Sequence, residues 1–253
     1  MCPSRRRGLP PPVPLRELLG TIVSGTVVPD GPRIRLDGEL ASTPAYIRDF
    51  PWSGSRADAV RAGRRVTAEV VSVDETEGRI WLSLAATEHP ELWAFLKGLR
   101  AGDVLTGRVA DVQRFGVFVA LDEGPPHPTY PGVGFVSVPE LSWIPFEQVT
   151  DVVRVGQRVR GEVLAFDTYN GEARLSLRAL QPDPFQVFAE RAEVGQRLSG
   201  TVTMVVPFGV FVRVADGVEG LIQDAAGQPG DIVQVVIVGL ERERHRLLLA
   251  PRE

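Results

Sequence analysis

The chain repeats itself, and the repeat constrains its fold more than any other feature. "AGDVLTGRVADVQRFGVFVAL" (101–121) lies over "VGQRLSGTVTMVVPFGVFVRV" (194–214) without a gap, and "LLGTIVSGTVV" (18–28) supplies a third start. The ends recur as well: "RAGRRVTAEVVSVDETEGRIWLSL" (61–84), "RVGQRVRGEVLAFDTYNGEARLSL" (154–177) and "QPGDIVQVVIVGLERERHRLLL" (228–249). Such self-similarity marks one supersecondary unit used several times. Each copy is a run of short valine-rich alternating stretches broken by Gly, Asp and Pro, which reads as about five strands. Such a unit needs a closed or nearly closed barrel to hide its edges. Between copies, "EHPELWAFLKGLRAG" and "QPDPFQVFAERAEVG" place Pro at the start of a short helical pattern, with Trp93 and Phe95, or Phe185 and Phe188, spaced to cover one face. The division expected is a flexible tail over 1–14, units over 15–89 and 101–181 and a shortened one over 194–253, with helical linkers over 90–100 and 182–193.

Composition narrows the function classes. The chain is 43% hydrophobic and 24% charged, ordinary for a globular protein, and no apolar run approaches the length that spans a bilayer, so no membrane partner is expected. "MCPSRRRGLPPPVP" has arginines without an apolar stretch behind them, a poor secretory signal, which makes the cytoplasm the default location. Cys2 is the only cysteine, which removes internal disulfides and cysteine zinc sites. A net charge of −4, with no basic segment after the tail, argues against capture of nucleic acid by bulk positive charge. A local patch remains open.

"RFGVFVAL" from Arg114 and "PFGVFVRV" from Pro207 carry such a patch. Phe115 and Phe118 are three apart and would point to opposite faces of a regular strand, unless a bulge at Gly116 returns both rings to one side. With the valines inward, Arg108 and Phe118 face outward in the second unit, Phe115 joins them through the bulge, and Arg174 on the last strand shares their face. Aromatic rings beside arginines form a platform for unstacked bases. The third unit repeats the pattern in Phe208, Phe211 and Arg213, although Thr201 replaces the first-strand arginine. In the first unit, "PRIRLDG" turns Ile34 and Leu36 in and Arg33 and Arg35 out, and Trp81 shares the outer face with Arg79. These four are weaker candidates, for contact with phosphates or for packing Trp81 against a neighbouring unit or a partner. His89, His127 and His245 are scattered, without metal-ligand spacing, and read as surface side chains. Asp167 and Glu172 read as turn chemistry and "ERERHR" (241–246) as a solvated hairpin. No catalytic constellation, metal site or cofactor motif is found.

The second unit, with "GDVLTGRVADVQRFGVFVAL", "GVGFVSVPELSW", "VGQRVRGEVLAFD" and "RLSL", resembles the RNA-binding domain repeated in bacterial ribosomal protein S1; the third resembles it in its first half and last strands, the first at both ends. The resemblance implies an all-β fold of three tandem five-stranded OB-fold barrels joined by short helical linkers. It also implies non-catalytic binding of single-stranded RNA (mRNA or rRNA) in translation or RNA metabolism, on or near the ribosome. The second unit is expected to lead and the third to follow, with the first free to hold the ribosome or another protein. Where that family has a histidine on the third strand, this chain has Ser137 and Gln223, which take its place among the expected RNA-binding residues. The family's Asp and Arg around the fourth and fifth strands match Asp74 and Arg79, become Asp167 and Glu172 in the second unit, and leave the approximate pair Glu241 and Arg246 in the third. The alternative reading is a protein–protein adaptor.

Overall fold

A computed structural model describes residues 14–29 and 31–252; the tail expected over 1–14, with Cys2, lies outside them apart from Pro14. Fifteen strands build three closed barrels. The first uses β1 (Ile22–Val27), β2 (Arg33–Leu36), β3 (Ala45–Asp49), β4 (Arg65–Asp74) and β5 (Arg79–Ser83) in the order β1-β2-β3-β5-β4. The second uses β6 (Val104–Gln113), β7 (Gly116–Leu121), β8 (Gly134–Ser137), β9 (Arg158–Asp167) and β10 (Glu172–Ser176) in the equivalent order. The third uses β11 (Arg197–Val206), β12 (Gly209–Ala215), β13 (Val218–Gln223), β14 (Ile232–Glu241) and β15 (Arg246–Pro251). In each, the third strand closes on the fifth in parallel while the hairpins are antiparallel. The expected all-β tandem of five-stranded barrels is therefore the fold.

Alternation does the sorting. Along β7, Val117 and Val119 point into the barrel with Val109, Val136, Val163 and Leu175, all essentially buried. The first core is built likewise on Val27, Ile34, Ile47, Val70, Ile80 and Leu82, and the third on Val202, Val212, Ile222, Val235, Ile237 and Leu249. The glycine repeated in the first strand of every unit has a packing reason. A Cβ on Gly25, Gly107 or Gly200 would fall 2.5, 2.4 or 2.8 Å from a carbonyl oxygen of the second strand, so only glycine lets the two backbones approach.

Short helices α1 (Arg56–Ala59), α2 (Ala85–Glu88), α3 (Pro90–Gly98) and α4 (Pro184–Ala189) complete the described chain. In α3, Leu92, Trp93 and Leu96 are buried and Phe95 is half-buried, and the Trp93 indole donates to Glu69 at 3.0 Å. The Asp183 side chain caps α4 by accepting from the Phe185 and Gln186 amides, and Phe185 enters the third core. By contacts the chain divides into two compact units: that up to Leu99 with 124–133 and 166–172, and the remainder.

Two expectations change. The bulge expected at Gly116 lies elsewhere: β7 pairs with β8 in unbroken register, and the shift is on the partner strand β6, between Val109 and Asp111. Phe115 reaches the face of Phe118 from the turn that precedes β7, with Gly116 at φ 156°. The 241–246 hairpin is docked as well as solvated. Arg242 donates to the Ala189 carbonyl at 2.6 Å, Gln186 Nε2 donates to the Arg242 carbonyl at 3.0 Å, and His245 Nε2 lies 2.5 Å from Asp183.

Candidate nucleic-acid interface

On the second barrel the register fixes one row across three strands. Phe118 on β7 stands opposite Phe135 on β8, which stands beside Arg174 on β10. All three point away from the core valines. The Phe118 and Phe135 rings meet edge to face at 5.2 Å between centroids, and the Arg174 guanidinium lies over the Phe135 ring at 4.8 Å. Phe115 stacks on Phe135 at 5.9 Å and 25°, and meets Phe118 at 6.3 Å. The outcome is layered: Phe115 is 60% exposed, whereas Phe118 is only 6% exposed beneath its neighbours. The exposed ring is therefore Phe115, with Phe118 and Phe135 packed beneath it.

Ser137 faces Gly116 in the β7–β8 ladder and lies two residues from Phe135, hence on the same face. Arg108 pairs with Ala120, one step along that face from Phe118, and donates to the Gly156 carbonyl at 3.3 Å. Sequence reasoning missed Phe135. Alternation from Ser137 puts the residue two before it on the same face, but only the cross-strand register sets that residue beside Phe118 and Arg174.

The same row in the third barrel is Phe211 on β12, Leu221 on β13 and Leu248 on β15. Phe208 is 56% exposed at the preceding turn, Phe211 is half-buried, and Gln223 pairs with Gly209 as Ser137 does with Gly116. Arg213 is exposed and stands opposite Glu219. Leu248 occupies the place of Arg174, so this row has no guanidinium. In the first barrel the row is Arg33 on β2, Tyr46 on β3 and Trp81 on β5. Tyr46 and Trp81 are 5.5 Å apart, and Arg79 lies over Trp81 at 5.5 Å. Tyr46 was missed for the reason that Phe135 was. Arg35 is exposed on β2, two residues from Arg33. Arg79 pairs with Asp74 at 3.0 Å, and the Glu77 amide, with help from Arg79, holds the Asp74 carboxyl below the usual carboxylate range.

Of the histidines, His127 is built into packing, contrary to its reading as a surface side chain, whereas His89 is half-buried and His245 exposed. His127 is 8% exposed; its Nδ1 accepts from the Thr129 and Tyr130 amides and its Nε2 lies 2.8 Å from the Asn170 carbonyl. Trp52, also unselected from the sequence, stacks with His89 and packs near His127, and its indole donates to the Thr168 carbonyl. Burial lowers the His127 pKa, opposed by the Asn170 carbonyl, with His89 adding to the lowering. His245 stacks on Trp143 and pairs with Asp183. Burial raises the Asp183 carboxyl, but the His245 contact and the α4 amides outweigh it and bring the group below its ordinary value. Asp167 accepts from the Tyr169 and Asn170 amides, the expected turn chemistry. Among the described residues no cluster of His, Cys, Asp and Glu could hold a metal, and no helix is long and apolar enough to cross a membrane.

Residues 99–178 and 191–225 match the S1 RNA binding domain family model. The small ribosomal subunit protein bS1 of Mycolicibacterium smegmatis is 34% identical over 208 residues, covering 76% of this chain and 42% of the relative. That of Staphylococcus aureus is 30% identical over 246 residues, covering 90% of this chain and 58% of the relative. The chain thus spans about two fifths to three fifths of the length of these relatives. The solution structure of GSP13 from Bacillus subtilis is 29% identical, covering 38% of this chain and 73% of that one, with a TM-score of 0.27. With its closed five-stranded barrels and two matched segments, the chain carries S1-like RNA binding domains over 99–178 and 191–225.

Proposed function

We propose that the chain binds single-stranded RNA without catalysis, in translation, using the outer face of the second barrel as its main site. One observation carries this reading: Phe115, Phe118, Phe135 and Arg174 converge on one face within the segment that matches the S1 RNA binding domain. A ring and a guanidinium side by side suit a base and its phosphate, and every base has a face to stack, so the site tolerates sequence. Arg108 and Ser137 extend the site along the sheet. The third barrel follows with Phe208, Phe211, Arg213 and Gln223, and the first contributes Arg33, Arg35, Arg79 and Trp81. The RNA is messenger or ribosomal, in keeping with ribosomal relatives, and the setting is the cytoplasm. Comparing single-stranded RNA, duplex RNA and single-stranded DNA of one length tests this; preference for duplex, or no binding, rejects it.

A second reading has its own support. The third-barrel row of Phe211, Leu221 and Leu248 is apolar and lacks a cation, and Met204 and Phe208 beside it are more than half exposed. Such a face suits a protein partner, as an adaptor would require. Binding through it would persist at high salt, whereas binding to phosphates would not.

A further inference from the structure

Beside the Phe115 platform, the β6–β7 turn and the segment after β8 enclose a groove of about 560 Å³. Val112 and Val138 give it apolar lining, Phe146 is a half-buried ring within it, and Arg114 and Glu147 lie at its edge. Arg114 is the chain neighbour of Phe115, so the groove continues the platform. Arg114 and Glu147 carry opposite charge, and neither enters a hydrogen bond or ion pair among the described residues.

An unpaired guanidinium and an unpaired carboxylate at one groove of mixed polar and apolar lining are complementary to one nucleotide unit: phosphate to the first, base to the second. The base can be specified further. A carboxylate only accepts, and its two oxygens match two neighbouring donors. Guanine presents such a pair on its Watson–Crick edge, N1–H and the N2 amino group; adenine and cytosine offer one exocyclic amino group beside an acceptor, and uracil one N–H between two acceptors. We propose that this groove is a guanine subsite, with Glu147 accepting from N1 and N2, Phe146 against the base and Arg114 on a phosphate. The proposal rests on the single-stranded RNA reading and adds to it a base preference that the stacking platform cannot supply.

The test uses the full chain and three single-stranded RNAs of equal length: all uridine, the same with one central guanosine, and the same with inosine there, which lacks the N2 amino group. The parent should bind the guanosine RNA about tenfold more tightly than the all-uridine RNA, with inosine between. In Glu147→Gln the guanosine-to-uridine ratio should fall to about one, because an amide nitrogen then meets the donors of guanine. Equal affinity of the parent for all three RNAs, or a preference that survives in Glu147→Gln, overturns the guanine subsite alone. A parent that binds none of the three overturns the RNA reading with it.

Discussion

Phe115 and Phe118 look interchangeable in the sequence and are not. Alternation places Phe118 outside the barrel, and it is, yet Phe115 and Phe135 cover it; parity says nothing about what a neighbouring strand lays on top. Phe115→Ala should therefore weaken RNA binding by about 1–3 kcal/mol while leaving thermal unfolding unchanged. Phe118→Ala should lower stability by about 3 kcal/mol as well as weaken binding, because it opens a hole under the platform. Unfolding and anisotropy measurements on the two variants separate these roles. A Cβ at Gly116 would meet the Val136 carbonyl at 2.4 Å and the Phe135 ring at 2.5 Å, so Gly116→Val should cost about 2 kcal/mol or more. His127 gives a pH signature. With Nδ1 accepting two amides, the ring is the neutral Nε2–H tautomer, and a proton on Nδ1 would face two donors. Its folded pKa is depressed, so its contribution to stability is complete above about pH 6.5 and is lost as pH falls from there through the lowered folded value. Melting at pH 7.5 and 5.5 should show a larger acid loss in the parent than in His127→Gln.

Among the elements, the strands were legible because inward valines repeat with period two in three copies, and the glycine of "SGT", "TGR" and "SGT" marks one position of close approach in each. Helices α3 and α4 announced themselves by Pro90 and Pro184, whereas α1 and α2, four residues each, carried no such signal. Cross-strand register was not legible. Which residue of β8 stands beside Arg174 depends on how far the 124–133 connection carries the chain, and that distance hid Phe135; Tyr46 was hidden likewise on β3. The packing of His127 and Trp52 was equally hidden, since residues 75 apart in sequence meet only through tertiary structure. Exposed rings and the guanidinium groups beside them rank the barrels: an exposed ring beside a guanidinium in the second, an exposed Phe208 without one in the third, and in the first a half-buried Trp81 whose neighbour Arg79 is held by Asp74. In the full chain, Phe115→Ala should therefore reduce RNA affinity more than Phe208→Ala, and Phe208→Ala more than Trp81→Ala. Titrations of the three variants against one RNA check the order.

For the molecule as a whole, a net charge of −4 means that the proposed affinity for RNA would have to come from a few placed arginines and rings rather than from a general field. Few phosphate contacts imply a shallow salt dependence. Each contact to a single strand contributes about −0.7 to the slope of log affinity against log salt, so two to four contacts predict a slope between roughly −1.5 and −3. The stacking share of the affinity should survive the salt that removes the phosphate share. The most direct test measures the affinity of the full chain for single-stranded RNA from low to high salt, in the parent and in Phe115→Ala. Binding with that shallow slope, and an offset of about 1–3 kcal/mol between parent and variant at every salt concentration, is the predicted result. Affinity that ignores both salt and the loss of Phe115, or no affinity for RNA at all, would contradict it.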